Sequence, residues 1–369
     1  MKLVLFGDLH LDTPFAWIGQ VSKEAARKRR QALRDVLVRI IHLADEVKAD
    51  ALLCSGDLFE QERITPDTAA FLQKTFEDVA PLPVYIAPGN HDYFGPRSPY
   101  AHVRWSSNVH IFKEAKLTPV CLQSGVTLWG GAHCVPANAD DFLAGFRTGE
   151  RQGVHLALFH GSELGWFDRD GESKRPYAPF RAEEIPAAGL HHAFLGHIHT
   201  PRDAERHTYP GNPDPLGFGE TGERGAVVIT VGADGTVGRE RRVVALSQVH
   251  ELTVQVDGCA SQQEVRERIT AALAGLSGCV RVTLAGQLRV EVDLQPRDLC
   301  SPVPGIDALV IRPPSLCVAY DFESLRKEAT VRGQFVDDLL RSELPEEDRR
   351  AVLVTGLRAL ESRNDLDVV

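Results

Sequence analysis

The stretch Lys2-Leu3-Val4-Leu5-Phe6-Gly7-Asp8-Leu9-His10 sets the pattern that decides the fold. Its apolar half predicts a short buried strand, and its polar half places an aspartate and a histidine where the chain leaves that strand. The same arrangement recurs four times farther along the chain. The later pieces are Gly56-Asp57, Gly89-Asn90-His91-Asp92, Phe159-His160-Gly161 and Gly196-His197-Ile198-His199.

Helical segments separate the strands of this first part. Residues 23–48 carry apolar side chains at the spacing of one helical stripe, and residues 66–79 begin with a proline, which suits the first helical turn. Buried strands that alternate with helices predict an α/β layered domain, in which sites gather at the carboxyl ends of strands. The predicted strands are 2–6, 50–54, 83–87, 126–130, 155–159, 192–195, 226–231 and 237–244.

The order of elements changes near Ser247. We predict a first domain over residues 1–246, a small α+β capping domain over 247–320 and a helical C-terminal segment over 321–369. The capping domain is predicted to contain a strand at 251–256, a helix at 262–276, and strands at 279–284 and 288–294 joined by a turn at Ala285-Gly286-Gln287.

The overall composition restricts the class of protein. No apolar run has the form of a signal peptide or the length of a membrane span. The seven cysteines include no Cys-x-x-Cys pair, which favours small buried side chains in a reducing compartment. We therefore expect a soluble cytoplasmic protein with no membrane partner. The formal net charge of −10 argues mildly against a nucleic-acid partner, although bound cations would offset some carboxylates.

The five polar pieces together predict a metal centre. Asp8 and His10 are two positions apart, as are His197 and His199, so both members of each pair can turn toward one ion. A lone carboxylate such as Asp57 can bridge two cations. Oxygen and imidazole ligands without thiolate suit manganese, iron or zinc, and we expect two divalent ions, manganese first. The predicted ligands are Asp8, His10, Asp57, Asn90, His160, His197 and His199.

Two adjacent cations would suit the hydrolysis of phosphate esters. His91 is the candidate catalytic residue, because it neighbours Asn90 without being needed as a ligand and an imidazole can protonate a leaving oxygen. Each piece alone also has a plain structural interpretation: Gly-Asp is commonly a turn, and His160 alone could be a core histidine. All five in this order, each after a strand, favour the metal centre.

At these residues the chain resembles the calcineurin-like metallophosphoesterase superfamily. The resemblance covers roughly Met1 to Thr200 and implies a four-layer α/β/β/α sandwich. It also implies that His91 is the catalytic histidine. The implied ligands of one metal are Asp8, His10, Asp57 and His199, and those of the other are Asp57, Asn90, His160 and His197.

Within that superfamily the chain looks like the SbcD-like DNA-repair exonuclease subunits. The segments that carry this likeness are residues 7–12, 55–59, Tyr209-Pro210-Gly211-Asn212 and Gly222-Glu223-Arg224-Gly225, with the predicted capping domain. The likeness implies a manganese-dependent nuclease that acts on DNA with an SbcC-like coiled-coil ATPase. It also implies a homodimer formed through helices of the nuclease domain.

Three functions stay open at the level of sequence. The leading one is a metal-dependent DNA exonuclease or phosphodiesterase in DNA repair, with Tyr93 and Arg97 beside the site as candidate substrate-binding residues. The second is a phosphatase or phosphodiesterase for a small molecule such as a nucleotide, since the same ligands would serve it. The third is a non-catalytic scaffold subunit, which the intact ligand set disfavours.

Overall fold

The computed structural model describes residues 1–19, 22–123, 125–137, 140–149, 152–165, 176–292, 294, 299, 303–318 and 320–361. The chain forms two compact units, and the first consists of Met1–Gly19 and Ala26–Ser247. The second unit contains the chain from Gln248 onward together with a short segment before Ala26. The predicted boundary after residue 246 lies next to this division. Within the ranges above, no helix is both long and apolar enough to cross a bilayer.

The described strands are β1 Lys2–Phe6, β2 Ala51–Cys54, β3 Val84–Ile86, β4 Val109–Ile111, β5 Thr118–Gln123, β6 Val126–Gly130, β7 Val154–His160, β8 His192–Gly196, β9 Arg202–Asp203, β10 His207–Tyr209, β11 Gly225–Val231, β12 Val237–Val243, β13 Val249–Gln255, β14 Gly278–Leu288 and β15 Ile306–Val318. The described helices are α1 Ala16–Gly19, α2 Lys23–Glu46, α3 Pro66–Glu77, α4 Pro99–His102, α5 Glu184–Ala187, α6 Gln262–Ala272, α7 Phe322–Leu325, α8 Val331–Leu340 and α9 Glu346–Leu360. The strands predicted in the first domain are all present, and α2 and α3 each end two residues before the predicted position.

Two six-stranded sheets form the first unit. Their strand orders are β12-β11-β1-β2-β3-β4 and β5-β6-β7-β8-β10-β9. Strands β1 to β4 run parallel, as do β6, β7 and β8, so each sheet collects several carboxyl ends at one edge. The late pair β11 and β12 is antiparallel.

The two sheets pack face to face through one apolar cluster. Leu3 and Leu5 of the first sheet belong to it, as do Leu156, Leu158 and Phe194 of the second. Successive side chains of a strand point to opposite faces, so Val4 faces the outside of the first sheet, where it is also fully buried. The first sheet is therefore covered on both faces.

Helices and loops supply the outer layers. The helix α2 has a buried stripe that includes Leu33, Leu37 and Ile40. Its neighbour α3 begins with Pro66 after the N-cap Thr65, whose side chain accepts a hydrogen bond from the main chain of Thr68. The outer face of the second sheet packs on a separate cluster that contains residues of α5 and of the preceding loops. These layers form the α/β/β/α arrangement of the predicted fold class.

One prediction in the second unit is wrong. The segment Ala285-Gly286-Gln287 is not a hairpin turn, because β14 continues through it to Leu288. Gly286 has a φ of +106°, the main-chain N–H of Gln287 donates to Asp257 Oδ1, and the pairing with β15 shifts register between Thr283 and Ala285. The glycine therefore marks a β-bulge inside a long strand. The second unit contains a parallel sheet of order β13-β14-β15, and the described residues of the predicted strand at 288–294 form no strand beyond Leu288.

Up to residue 361 the predicted helical tail consists of α7, α8 and α9, and its residues 362–369 lie outside the described residues. Leu325, Val336, Leu353 and Leu357 pack together in one cluster across these helices. Val354 of α9 also packs in the apolar cluster of the small sheet. The helix α9 therefore contributes to both clusters, and the predicted division at residue 320 stays a prediction.

Candidate metal centre

The chain turns sharply where it leaves β1 and β2. Asp8, His10 and Asp57 have φ values of 51°, 50° and 51°, a left-handed conformation that is uncommon outside glycine. Main-chain hydrogen bonds hold these turns together, from Asp8 N to Gly56 O at 2.9 Å and from His10 N to Asp57 O at 2.9 Å. Strain of this kind persists only where the surroundings enforce it, and it clusters at functional sites.

The Asp57 carboxylate lies between two imidazoles. Its Oδ2 is 3.2 Å from His160 Nε2 and 3.6 Å from His10 Nε2. Its Oδ1 accepts a hydrogen bond from the main-chain N–H of His91 at 2.8 Å. Burial favours the neutral carboxyl, but the attraction of His160 and His10 outweighs it and holds the pKa of Asp57 well below its usual range. The carboxylate is thus an anion placed between two separate groups of nitrogen ligands.

Asp8 links the first strand to the Gly-His-x-His segment. Its Oδ1 accepts a hydrogen bond from the main-chain N–H of His197 at 2.9 Å. The ligand atoms of Asp8, His10 and His199 all lie within 4.8 Å of one another, and a second group of the same size contains Asp8, Asp57 and His160. Asp8 therefore contributes to both groups of ligand atoms.

The remaining predicted ligands lie beside His160. Asn90 Oδ1 is 3.1 Å from His160 Nε2, and the rings of His160 and His197 have centroids 5.2 Å apart. His160 Nδ1 donates to the main-chain oxygen of Ser55 at 3.0 Å, which leaves Nε2 for the centre of the site. The structure therefore brings all seven predicted ligands together. Their roles toward a metal stay predictions.

Glycines allow the loops to approach closely. A Cβ on Gly89 would lie 2.3 Å from Asp57 Oδ1, and one on Gly196 would lie 2.2 Å from the main-chain oxygen of Ser55. Both distances are far below contact, so only glycine fits at these positions without moving a ligand.

Glu60 is a residue of the site that the sequence did not reveal. Its Oε1 accepts from His10 Nδ1 at 2.7 Å and its Oε2 accepts from His91 Nδ1 at 2.9 Å. The hydrogen bond to Glu60 raises the pKa of His91 to about 9, against the opposing effect of burial. Burial raises the pKa of Glu60, but its bonds to the two histidines outweigh this and lower it to about 2. Its position three residues after Asp57 was the only local signal.

Asp92 is fully buried and joins two loops of the site. It accepts hydrogen bonds from the main-chain N–H groups of Asp57 at 3.0 Å, Leu58 at 2.8 Å and Gly89 at 2.6 Å, and from the Tyr100 hydroxyl at 2.7 Å. Burial, followed by the charge of Asp57, raises the pKa of Asp92 to about 6. The sequence marked Asp92 as part of a motif without giving it a role.

Glu220 contacts the other end of the site. It accepts from His199 Nδ1 at 2.6 Å and from Asn212 Nδ2 at 2.6 Å. Burial raises the pKa of Glu220, but the bond from His199 and further donors lower it to about 2. No pattern near Glu220 predicted this contact.

The buried His133 lies behind a predicted ligand. Its Nε2 donates to the main-chain oxygen of His160 at 2.7 Å, and burial lowers its pKa to about 4. A neutral His133 therefore supports the segment that carries His160.

The predicted substrate-binding residues have no such contacts. Arg97 is exposed and Tyr93 is half-buried on the loop after Asp92. Among the described residues, neither side chain forms a hydrogen bond or ion pair with a predicted ligand. Their role in binding substrate stays a prediction.

The donor set fits divalent cations. Within the described part of the chain, Asp8 Oδ2 and His10 Nε2 are buried and have no hydrogen-bond partner, and His10 Nε2 lies 3.6 Å from Asp57 Oδ2. Leaving buried polar atoms unpaired costs roughly 1–3 kcal/mol each. A cation coordinated by these atoms would remove that cost, and the mixture of carboxylate, amide and imidazole donors suits a divalent metal.

Comparison with known proteins agrees with this chemistry. The calcineurin-like phosphoesterase family model matches residues 1–201. The chain is 28% identical to the uncharacterized metallophosphoesterase YhaO of Bacillus subtilis (strain 168), over 61% of this chain and 56% of that protein. It is 26% identical to the DNA double-strand break repair protein Mre11 of Methanopyrus kandleri, over 66% of this chain and 58% of that protein.

The chain thus matches little more than half the length of either curated relative. A crystal structure of TT1561 from Thermus thermophilus matches at a TM-score of 0.37 and 13% identity, with 65% of this chain and 98% of that chain covered, which is too weak a likeness to support a conclusion. The family match spans more than half of this chain and includes every predicted ligand. The chain therefore belongs to the calcineurin-like phosphoesterase family.

Proposed function

We propose that this protein is a manganese-dependent DNA exonuclease that hydrolyses phosphodiester bonds with two divalent cations and acts in DNA repair. The observation that carries the proposal is the position of the Asp57 carboxylate, 3.2 Å from His160 Nε2 and 3.6 Å from His10 Nε2. A carboxylate between two sets of ligands is the arrangement that a two-metal hydrolytic site requires.

The proposed ligands divide into two sets that share Asp57. One set is Asp8, His10, Asp57 and His199, and the other is Asp57, Asn90, His160 and His197. When bound, the cations would supply Lewis acidity toward the phosphoryl oxygens and the attacking water. The protein must hold these ligands in place before the substrate binds. The turns at Asp8 and Asp57 and the hydrogen bonds of the Asp92 carboxylate contribute to this.

His91 is proposed to donate a proton to the leaving oxygen. Its side chain is 44% exposed, so a substrate can reach it. The Glu60 carboxylate accepts from Nδ1 and orients the ring, which leaves Nε2 for the substrate. In the metal-free protein the hydrogen bond to Glu60 raises the pKa of His91 to about 9, which favours the protonated imidazole that a proton donor requires.

DNA is proposed as the substrate because one relative is named a DNA double-strand break repair protein. The likeness to SbcD-like subunits adds a coiled-coil ATPase and a second copy of this chain as proposed partners. The other relative is named only a metallophosphoesterase, so a small-molecule phosphodiester is the competing substrate. Manganese is proposed over iron and zinc on the same likeness.

The test is cleavage of end-labelled linear duplex DNA in manganese, beside hydrolysis of bis(4-nitrophenyl) phosphate. The wild type should shorten the labelled strand, and a chelator should abolish this. His91→Asn should lower the rate by about 10²–10⁴-fold. His42→Asn is the matched control, since His42 is exposed on α2 and outside the site.

Two results would decide against parts of this proposal. If the DNA stays intact while the small phosphodiester is hydrolysed rapidly, the substrate is a small molecule and not DNA. Hydrolysis of neither substrate, at any manganese concentration, would contradict the enzymatic function itself.

A further inference from the structure

The two histidines of the Gly-His-x-His segment are held in different ways. His199 Nδ1 donates to Glu220 Oε1 at 2.6 Å, whereas among the described residues the ring of His197 makes edge contacts alone, with His160 at 5.2 Å and Tyr177 at 5.4 Å between centroids. The main-chain N–H of His197, not its ring, is the group that bonds to Asp8. Only one of these two imidazoles therefore has its orientation fixed by a carboxylate within the described chain.

Glu220 is itself held rigidly by donors from its own loop. Its Oε2 accepts from Asn212 Nδ2 at 2.6 Å and from the main-chain N–H groups of Leu216 and Gly217. These donors occupy one oxygen of the carboxylate and leave the other for His199. A carboxylate fixed in this way holds its other oxygen, Oε1, toward the ring of His199.

The same loop also holds the main chain at His199. The Arg224 guanidinium is 4% exposed and donates both to the main-chain oxygen of His199 and to Asn212 Oδ1. The main-chain N–H of Asn212 donates to that oxygen as well, at 3.2 Å. Ring and backbone of His199 are therefore fixed by one connected network.

The network extends to the segment that follows the first strand. Trp17 Nε1 donates to the main-chain oxygen of Leu216 at 2.9 Å, and the buried Arg29 donates to the main-chain oxygen of Pro215. Arg29 also lies 3.6 Å from Asp214 Oδ2. The contacts of Trp17 and Arg29 thus also hold the loop of residues 212–220 in place. A loop held in this way can position a ligand rigidly.

We propose that Glu220 is a positioning residue for one of the two metals: it fixes His199 with Nδ1 protonated, so that Nε2 faces Asp8 and His10. The inference rests on the proposed role of His199 as a ligand. A carboxylate that accepts a hydrogen bond from a metal-ligating imidazole raises the basicity of that imidazole and fixes its tautomer. Loss of such a carboxylate commonly weakens metal binding by about 10–100-fold. His197 has no such carboxylate partner within the described chain. Loss of Glu220 should therefore weaken the binding of one metal and leave the binding of the other unchanged.

The experiment is a manganese titration of the whole chain, with free Mn²⁺ counted by electron paramagnetic resonance. The wild type should bind two equivalents. Glu220→Gln should keep one equivalent at wild-type affinity and bind the other about 10–100-fold more weakly. Glu223→Gln is the matched control, because it removes the same charge from an exposed neighbour in the same loop and should bind as the wild type does.

A second readout needs no metal. The ring ¹⁵N shifts of the metal-free protein should show His199 as the Nδ1–H tautomer in the wild type and in Glu223→Gln, with His199→Gln used to assign the signal. Glu220→Gln should shift this signal toward the Nε2–H tautomer. If Glu220→Gln does not fold, Glu220→Asp carries the test, since it keeps the buried charge, and it should show the same selective loss to a smaller extent.

Three results would overturn the inference. The first is a Glu220→Gln protein that binds both manganese equivalents with wild-type affinity. The second is a Glu220→Gln protein that binds both equivalents equally more weakly and has a lower unfolding midpoint, which would indicate a structural role alone. The third is a neutral wild-type His199 that is protonated at Nε2 and not at Nδ1. Failure of the proposed function is distinguishable, since the wild type itself would then bind fewer than two equivalents.

Discussion

Asp92 illustrates how one buried side chain can set the geometry of two loops. Its two oxygens accept from three main-chain N–H groups and from the Tyr100 hydroxyl. In Asp92→Asn, one acceptor oxygen is replaced by an NH₂ group that faces those donors. We expect a loss of about 2–3 kcal/mol in the free energy of unfolding, measured in urea.

Tyr100→Phe is the matched control for Asp92, because it removes a single donor and leaves the three main-chain bonds. It should cost about 1 kcal/mol. An Asp92→Asn protein no less stable than Tyr100→Phe would show that Asp92 does not hold the loops together.

Gly89 tests whether the close approach of the loops matters for activity. A Cβ there would lie 2.3 Å from Asp57 Oδ1, so Gly89→Ala must displace either the loop or the proposed bridging carboxylate. A misplacement near 1 Å can cost about 10²-fold in rate, which is the expected loss of phosphodiesterase activity. Gly95→Ala is the control, since its nearest contact is Tyr93 at an ordinary 3.5 Å, and it should keep the wild-type rate. Equal rates for the two variants would contradict the account.

The residues of the site differ in how far the sequence could predict them. Asp8 and His199 belong to short motifs after strands, so local pattern was enough to find them. Glu60 and Glu220 belong to no such motif, and their contacts with His10 and His199 span 50 and 21 residues of sequence. Contacts of that kind depend on the tertiary fold, and a single sequence does not contain them in readable form.

Among the elements, β8 and β10 place two histidines in the second sheet away from the metal centre. His192 and His207 are 1% and 2% exposed. Burial, followed by the charge of Arg239, lowers the pKa of His192 to about 3, and burial together with Arg202 lowers the pKa of His207 to about 4. Both rings are therefore neutral in the folded protein down to acidic pH.

This pair predicts a loss of stability on acidification. An unfolded histidine has a pKa of about 6.5, so below that pH the unfolded state binds protons that the folded state does not. The stabilising effect of each neutral histidine is complete above about pH 6.5 and falls as the pH drops, by as much as about 1.4 kcal/mol per pH unit. Between pH 7.5 and 5.0, His192→Gln should lose about 2 kcal/mol less than the wild type.

The measurement is urea unfolding at both pH values, with His42→Gln as the control at an exposed position of α2. That control should follow the wild type. If His192→Gln loses as much stability as the wild type, then His192 is not held neutral by the fold.

Elements were predictable where the pattern was long or repeated. The stripe of α2 and the apolar runs of β1, β2 and β7 gave those elements directly. The short strands β9 and β10 contain two and three residues, which is too little for a pattern. The prediction ended the strand β14 early because Gly286 in that sequence resembles a turn. In the structure its φ is +106°, and pairing with β15 continues through it to Leu288.

At the scale of the whole molecule, bound metal should stabilise the fold. A ligand present at 100 times its dissociation constant adds about 2.7 kcal/mol to the free energy of unfolding for each site. In the metal-free protein, Asp8 Oδ2 and His10 Nε2 are also buried without hydrogen-bond partners among the described residues. Manganese should therefore raise the unfolding midpoint, and a chelator should return it to the metal-free value.

The Asp8→Asn variant distinguishes stabilisation by bound metal from the stability of the metal-free fold. Its metal-free form should be at least as stable as the wild type, because one buried negative charge beside Asp57 is removed, but manganese should stabilise it far less. Calorimetry with and without manganese checks both statements. An equal gain in the variant and the wild type would show that the stabilising metal binds elsewhere.

The central claim is that two divalent cations bind on either side of the Asp57 carboxylate. Anomalous diffraction from crystals grown with manganese tests it most directly, because it locates the ions without reference to activity. We predict two peaks, one among Asp8, His10 and His199 and the other among Asn90, His160 and His197. A single peak, or peaks away from Asp57, would contradict the two-metal site.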